Sequence, residues 1–166
     1  VYRDLLNEDR KNLRAKIVKE GWGANFLAKR YPAGHWGQKF YQPKWTSSHY
    51  TLLDLRNLCI SPENVLIKSS IDLIINSEKG PDGGVRPIGV EQKSDVCLNG
   101  MFLNYACYFK TEEEKLKSVV DFILSQVMKD GGFNCRSNRS GAVHSSLHTT
   151  LSVLEGITEY VFNGYK

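Results

Sequence analysis

Residues 128–156 read MKDGGFNCRSNRSGAVHSSLHTTLSVLEG: a double-glycine turn, a polar loop, then an apolar stretch with helical character. Two earlier segments follow the same order, YPAGHWGQKFYQPKWTSSHYTLLDLRNL at 31–58 and GPDGGVRPIGVEQKSDVCLNGMFLNYA at 80–106. Aligning Gly37, Gly84 and Gly132 gives a period of about 48 residues. Ser47, Asp95 and His144 then share one position, and Tyr50, Leu98 and Leu147 another. Repeats of this length imply stacked helical hairpins.

The helix signals between the turns agree. Ser61-Pro62 reads as an N-cap with proline at the first helical position, opening a helix to about Asn76. Thr111 with Glu114 has the form of a capping box. Behind it Leu116, Val119, Val120, Ile123, Leu124 and Val127 recur at helical spacing, with Lys115, Lys117, Asp121 and Ser125 on the other face. That pattern predicts an amphipathic, peripheral helix. From Val96 to Phe109 the apolar side chains point all round, which predicts an enclosed helix. Inner and outer helices therefore alternate. Tyr2 to about Glu20 reads as one charged amphipathic helix, and the single strand candidate, Val85 to Val90, is broken by Pro87. The expectation is an all-α fold.

Composition narrows the functional classes. A chain of 166 residues suffices for one domain with a hydrophobic core. The net charge of +4 is a weak excess spread along the chain, apart from the loop NCRSNRSG, and points away from nucleic acid. No apolar run is long enough to span a bilayer. Cys59, Cys97, Cys107 and Cys135 form no CxxC pair, and read as reduced thiols of a cytoplasmic protein, Cys59 and Cys107 as buried ones. The chain starts at Val1 without methionine, which implies a processed or truncated start.

QVMKDGGF (Gln126 to Phe133), placed at the end of an outer helix, resembles the glutamine-glycine-aromatic repeat motif of squalene cyclases and protein prenyltransferase β subunits. GWGANFLAKRYPAGHWG, residues 21–37, is similar to a divergent earlier copy. The resemblance implies the α/α toroid of the terpenoid cyclase and prenyltransferase superfamily, in which inner and outer helices alternate around an apolar cavity. A full ring has about six hairpins, and this chain supplies about three. The implied organisation is a single domain over 1–166, a partial ring with an N-terminal helical segment 1–30 and repeats at approximately 31–78, 79–128 and 129–166. The rest of a longer chain or a second copy would complete it. In this reading Gly131-Gly132 turns the chain, while Phe133, Trp36 and Trp22 pack between repeats.

The same resemblance implies a site. In farnesyltransferase-like β subunits an Asp-x-Cys pair and a distant histidine hold zinc, and Asp95, Cys97 and His148 resemble that set. Zinc accepts thiolate, imidazole and carboxylate ligands, and a catalytic site keeps a fourth position open. Two residues apart on a helix point to opposite sides, so both reach one ion only with Asp95 at a non-helical N-cap. The alternative for Asp95 is a plain helix cap, and for Cys97 a small core residue. His144 and His148 share a helix face as a second histidine pair. Trp36, Trp45, His49 and His144 are the candidate residues for contacting a hydrophobic, prenyl-like substrate.

The diphosphate-handling arginine, lysine and tyrosine of the prenyltransferases are replaced by Gly89, Gln92 and Leu98, leaving Arg86, Lys93, Arg136 and Arg139 as substitutes. The acidic cluster of the cyclases is reduced to a lone Asp95, and Asp54 sits inside a helix. Two functions follow: zinc-assisted transfer or binding of a hydrophobic substrate, or a non-catalytic toroid that binds a ligand or protein.

Overall fold

The computed structural model describes residues 2–88, 93–137 and 140–166. Its helices are α1 (Tyr2–Leu6), α2 (Lys11–Ile17), α3 (Gly21–Ala28), α4 (Ser48–Asn57), α5 (Val65–Glu78), α6 (Val96–Tyr108), α7 (Glu113–Ser125) and α8 (Leu147–Phe162), with a short 3-10 turn at Lys44–Thr46. Among the described residues the only β pairings are the isolated bridges Lys39–Gln42 and Lys79–Val85, so the fold is all-α. No helix of the described residues is long and apolar enough to cross a membrane.

Three like turns set the architecture. In the first, Tyr31 and His35 bond N–H to carbonyl at 2.9 Å and Gly34 donates to Tyr31 at 2.9 Å. Gly80 and Gly84 repeat this at 2.7 Å with Gly83 donating to Gly80 at 3.1 Å, and Met128 and Gly132 at 2.9 Å with Gly131 donating to Met128 at 2.9 Å. The turning residues are Gly34, Gly83 and Gly131, at φ 96°, 89° and 84°. A side chain is disfavoured in that left-handed region, which is why glycine stands there each time. The equivalent of Gly84 and Gly132 is therefore His35, not Gly37.

The residue after each turn is clamped to the start of the next helix. Trp36 N–H donates to Ser48 Oγ at 2.9 Å, Val85 N–H to Asn99 Oδ1 at 2.7 Å, and Phe133 N–H to Thr150 Oγ1 at 3.0 Å. In the second and third turns an aspartate adds a brace. Asp82 accepts from Ser94 N–H at 2.7 Å and Ser94 Oγ at 2.8 Å, and Asp130 accepts from both groups of Ser145 at 2.9 Å. Ala33 stands at that place in the first turn, so its loop closes without the brace. α4, α6 and α8 are capped at Ser47, Asp95 and Ser146, the last two each one residue beyond a braced serine. The third loop is longer, so Ser146 rather than His144 is the residue equivalent to Ser47 and Asp95.

The helices lie in two rows. In one row Arg30, just beyond α3, bonds Ser69 and Ser70 of α5, and Lys115 of α7 pairs with Asp72 of α5 at 2.9 Å. α4, α6 and α8 form the other row, with α6 in the middle. Along α6 every residue but Cys97 and Met101 is buried, as its all-round apolar pattern predicts. α6 and α8 run in the same direction, since Cys97 near the start of α6 meets the loop held by Thr149, and Lys110 beyond its end bonds Asn163. They touch backbone to backbone. A Cβ on Gly100 would lie 2.6 Å from the carbonyl oxygen of Ser152, and one on Gly156 would overlap the carbonyl oxygen of Gly100. Arg56 crosses to Glu159 at 2.8 Å, and Tyr108 Oη donates to the Ile60 carbonyl at 2.8 Å, fixing α4 to the same pair.

Several local expectations are corrected. α5 starts later than Ser61-Pro62, because Asn64 caps it by accepting from Leu66 N–H at 3.1 Å and Ile67 N–H at 3.2 Å. Thr111 makes no capping box. It is buried and closes the end of α6 by donating its N–H to Ala106 at 3.0 Å, so α7 is capped at Glu112. The N-terminal segment is two short helices, divided where Asn7 takes φ 51°. On α7 Leu116, Val119 and Ile123 are buried as expected, while Leu124 and, beyond the helix end, Val127 are exposed. Trp36 and Phe133 are buried, whereas Trp22 is 71% exposed and packs between no repeats. Cys107 is buried and Cys59 only partly so, at the left-handed residue that ends α4.

Gly100→Ala forces the α6–α8 backbones apart and is expected to cost about 1–3 kcal/mol or more, the range for overpacking. Urea unfolding followed by circular dichroism checks this. An unchanged midpoint would mean that the helix crossing has slack enough to take a methyl group.

Candidate functional site

The start of α4 and the second half of α6 meet in an aromatic cluster. His49, at the second position of α4, is wholly buried, with Nδ1 3.3 Å from Tyr105 Oη. Its ring has Phe40 at 5.4 Å, Tyr41 at 5.4 Å, Tyr50 at 5.0 Å and Tyr105 at 5.7 Å, centroid to centroid. His49 Nε2 is buried with no hydrogen-bond partner. Burial drives the imidazole pKa down to about 3, so it is neutral at physiological pH. Tyr41 and Tyr50 share a hydroxyl–hydroxyl bond of 3.2 Å. Burial first, then that bond and the field of nearby Asp95, hold the Tyr41 phenol well above its usual range. The His49 imidazole and the Tyr41 phenol are therefore neutral hydrogen-bonding groups.

Tyr50 continues the cluster outward, its ring 4.8 Å from that of Trp45, which is 71% exposed. Trp45 borders a cleft of about 510 Å³ lined by Phe26, Lys29, Arg30, Tyr31 and Trp36. Trp36 forms its rigid wall, because its indole N–H donates to the Phe26 carbonyl at 2.7 Å and its ring is buried. Arg30 stands 5.9 Å from the Trp36 ring and is tied to Ser69 and Ser70, while Lys44 Nζ lies 4.8 Å from the Trp45 ring. An aromatic wall with cations at the rim suits a flat or elongated apolar group carrying negative charge.

Trp36 and Trp45 are thus brought together, with His49 behind them through Tyr50. His144 is not. It is exposed on the loop before α8, its carbonyl accepting from Asn134 Nδ2 at 2.8 Å.

Asp95 is the N-cap of α6 in extended backbone (φ −87°, ψ 127°), the non-helical position that the Asp-x-Cys geometry required. Cys97 and His148 occupy the second helical position of α6 and α8, equivalent to His49 in α4. Cys97 is joined to Cys135 in a disulfide, Cα atoms 5.7 Å apart. The expectation of reduced thiols is corrected for these two: the third loop folds back over the start of α6, where Cys135 is held by its N–H to Thr149 Oγ1 at 3.3 Å. His148 is exposed. Among the described residues no three His, Cys, Asp or Glu side chains gather as a metal-holding group. With Cys97 bonded to Cys135 and His148 in solvent, Asp95, Cys97 and His148 are not gathered as a zinc site in this structure.

Of the residues considered for a diphosphate, Gly89, Gln92 and Arg139 lie outside the described residues, as does Val90 of the strand candidate. Lys93 and Arg136 are exposed, Arg86 is half-buried, and Leu98 is buried in the core. Tyr41, Tyr105 and Cys135 were not singled out by sequence reasoning. Their spacing carries no signal, because each meets its partner only through tertiary packing.

No family model, curated protein or solved structure matches the chain.

A histidine held neutral inside the fold makes stability fall with acid. The unfolded chain protonates His49 below about pH 6.5, whereas the folded state does not until about pH 3. Its contribution is therefore full above about pH 6.5 and is lost at up to about 1.4 kcal/mol per pH unit as the solution is acidified. Replacing His49 with Gln is expected to flatten that slope between about pH 6 and 4.5 in urea unfolding. A parallel slope in both proteins would place the acid sensitivity elsewhere.

Proposed function

We propose that this chain is a non-catalytic, toroid-type ligand-binding module whose Trp36–Trp45 cleft takes an apolar small molecule with an anionic end. The observation that carries the reading is the cleft itself: a rigid aromatic wall, an exposed indole, and Lys29 and Arg30 at one rim. The like turns and the two rows of helices support the toroid-type arrangement that the glycine-aromatic motifs imply. A ligand laid between Trp36 and Trp45 buries its apolar body there, and the cations face its charge. Anilinonaphthalene sulfonate is a suitable probe. It is expected to bind with quenching of tryptophan fluorescence, about tenfold more weakly in Trp45→Ala. Equal binding by the variant would remove the cleft from the account.

A second reading, zinc-assisted transfer to or from a prenyl-like substrate, draws on one observation: Asp95, Cys97 and His148 occupy the starts of adjacent helices running the same way. It concerns the reduced protein. In a reducing compartment Cys97 and Cys135 would be thiols, and Cys97 would be open to a metal. Elemental analysis with and without reductant separates the two readings. About one zinc per reduced chain, lost in both Cys97→Ala and His148→Ala, is the outcome the transfer reading requires. Reduced protein that takes up no offered zinc leaves the binding module.

A further inference from the structure

We propose that the exposed face of α8 is an interface with a second copy of this chain, the two α8 helices packing antiparallel about a two-fold axis beside Leu151.

The caps Asp95 and Ser146 put α6 and α8 in register, so Leu147, Leu151 and Leu154 stand where Val96, Gly100 and Leu103 stand in α6. The α6 residues are all buried, partly beneath α8 itself. Their α8 counterparts are exposed, Leu147 at 82%, Leu151 at 53% and Leu154 at 55%. Val161 and Phe162 extend the stripe at 64% and 84%. Leucines at this spacing form one continuous ridge along a helix, and an exposed apolar ridge of this length marks an interaction face. The α4–α6 and α6–α8 contacts are thus a series of inner-helix contacts that stops at a face of the same kind.

The charge on that face selects the occupant. α8 carries no lysine or arginine, and its charged groups are Glu155 and Glu159. Glu159 is already paired with Arg56. Glu155 is exposed, and the imidazole of His148 is exposed one turn to the N-terminal side of Leu151. An antiparallel pair centred beside Leu151 sets Leu147 of each copy against Leu154 of the other and His148 opposite Glu155, twice over. Leucine meets leucine, and each carboxylate gains a donor. A two-fold contact needs such a self-complementary surface. The opposite edge of the array, with Trp22, Asp54 and Asn57 around a shallow pocket, offers Glu155 a second carboxylate and no cationic partner in a head-to-tail contact.

The test is independent of what the cleft binds. Sedimentation velocity over a dilution series is expected to show a monomer–dimer equilibrium. Leu151→Asp combined with Leu154→Asp is expected to raise the dissociation constant by about thirtyfold or more, with the far-ultraviolet spectrum unchanged because both positions are on the surface. Leu151→Cys, oxidised gently, is expected to give a covalent dimer linked Cys to Cys at that position, mapped by mass spectrometry. A wild-type chain that is monomeric at every concentration overturns the proposal. So does a dimer indifferent to the double substitution, or one that Trp22→Ala dissociates while position 151 fails to cross-link, which is the head-to-tail result.

Discussion

The backbone contact of α6 with α8 at Gly100 and Gly156 is the constraint on which the rest of this molecule depends. Two helices approach this closely only where neither carries a side chain between them, and here each glycine faces the other helix's main chain. Close approach aligns the helix starts and leaves no room for relative sliding. It also lets Asn104 Nδ2 reach the Glu155 carbonyl at 3.1 Å, a bond that a wider spacing would forfeit. With α8 locked on one side, Tyr105, Phe102 and Tyr108 pack into the body of the molecule on the others.

The inner row then dictates where chemistry-bearing side chains can be. Because α4, α6 and α8 begin at comparable places, His49, Cys97 and His148 are three versions of one structural position with three different environments. His49 is sealed by aromatic rings and kept neutral. Cys97 is bonded to a cysteine delivered by the following loop. His148 is exposed to solvent, and among the described residues α8 packs chiefly on α6. The difference follows from what lies over each position: aromatic rings over His49, the third loop over Cys97, and solvent over His148. The aromatic cleft lies at the α4 end, where the first turn, lacking the aspartate brace of the other two, carries tryptophans instead.

Much of this was legible beforehand, and what was not has a common cause. The all-round apolar pattern of Val96–Phe109 could only be an enclosed helix, and Asp95 before it could only be non-helical if it and Cys97 were to face one way. The caps of α5 and α7 were misjudged because Ser61 and Thr111 satisfy a local rule that a neighbouring Asn64, or the end of the preceding helix, satisfies better. The register of the first repeat slipped because Gly37 and Gly34 are both glycines with positive φ, and the sequence does not say which one closes the turn. Pairing of Cys97 with Cys135 was beyond reach, since connectivity depends on how a loop returns and not on spacing.

By itself the sequence determined that the chain is helical, which helix lies innermost, and that glycine-led turns recur along it, because periodicity and left-handed turns are properties of a few adjacent residues. Only the tertiary structure decided which glycine meets which, which cysteine finds a partner, and which aromatics close over His49 rather than line a cleft. Those outcomes depend on contacts between residues dozens of positions apart, and they are set by the packing of whole helices, which no local pattern encodes.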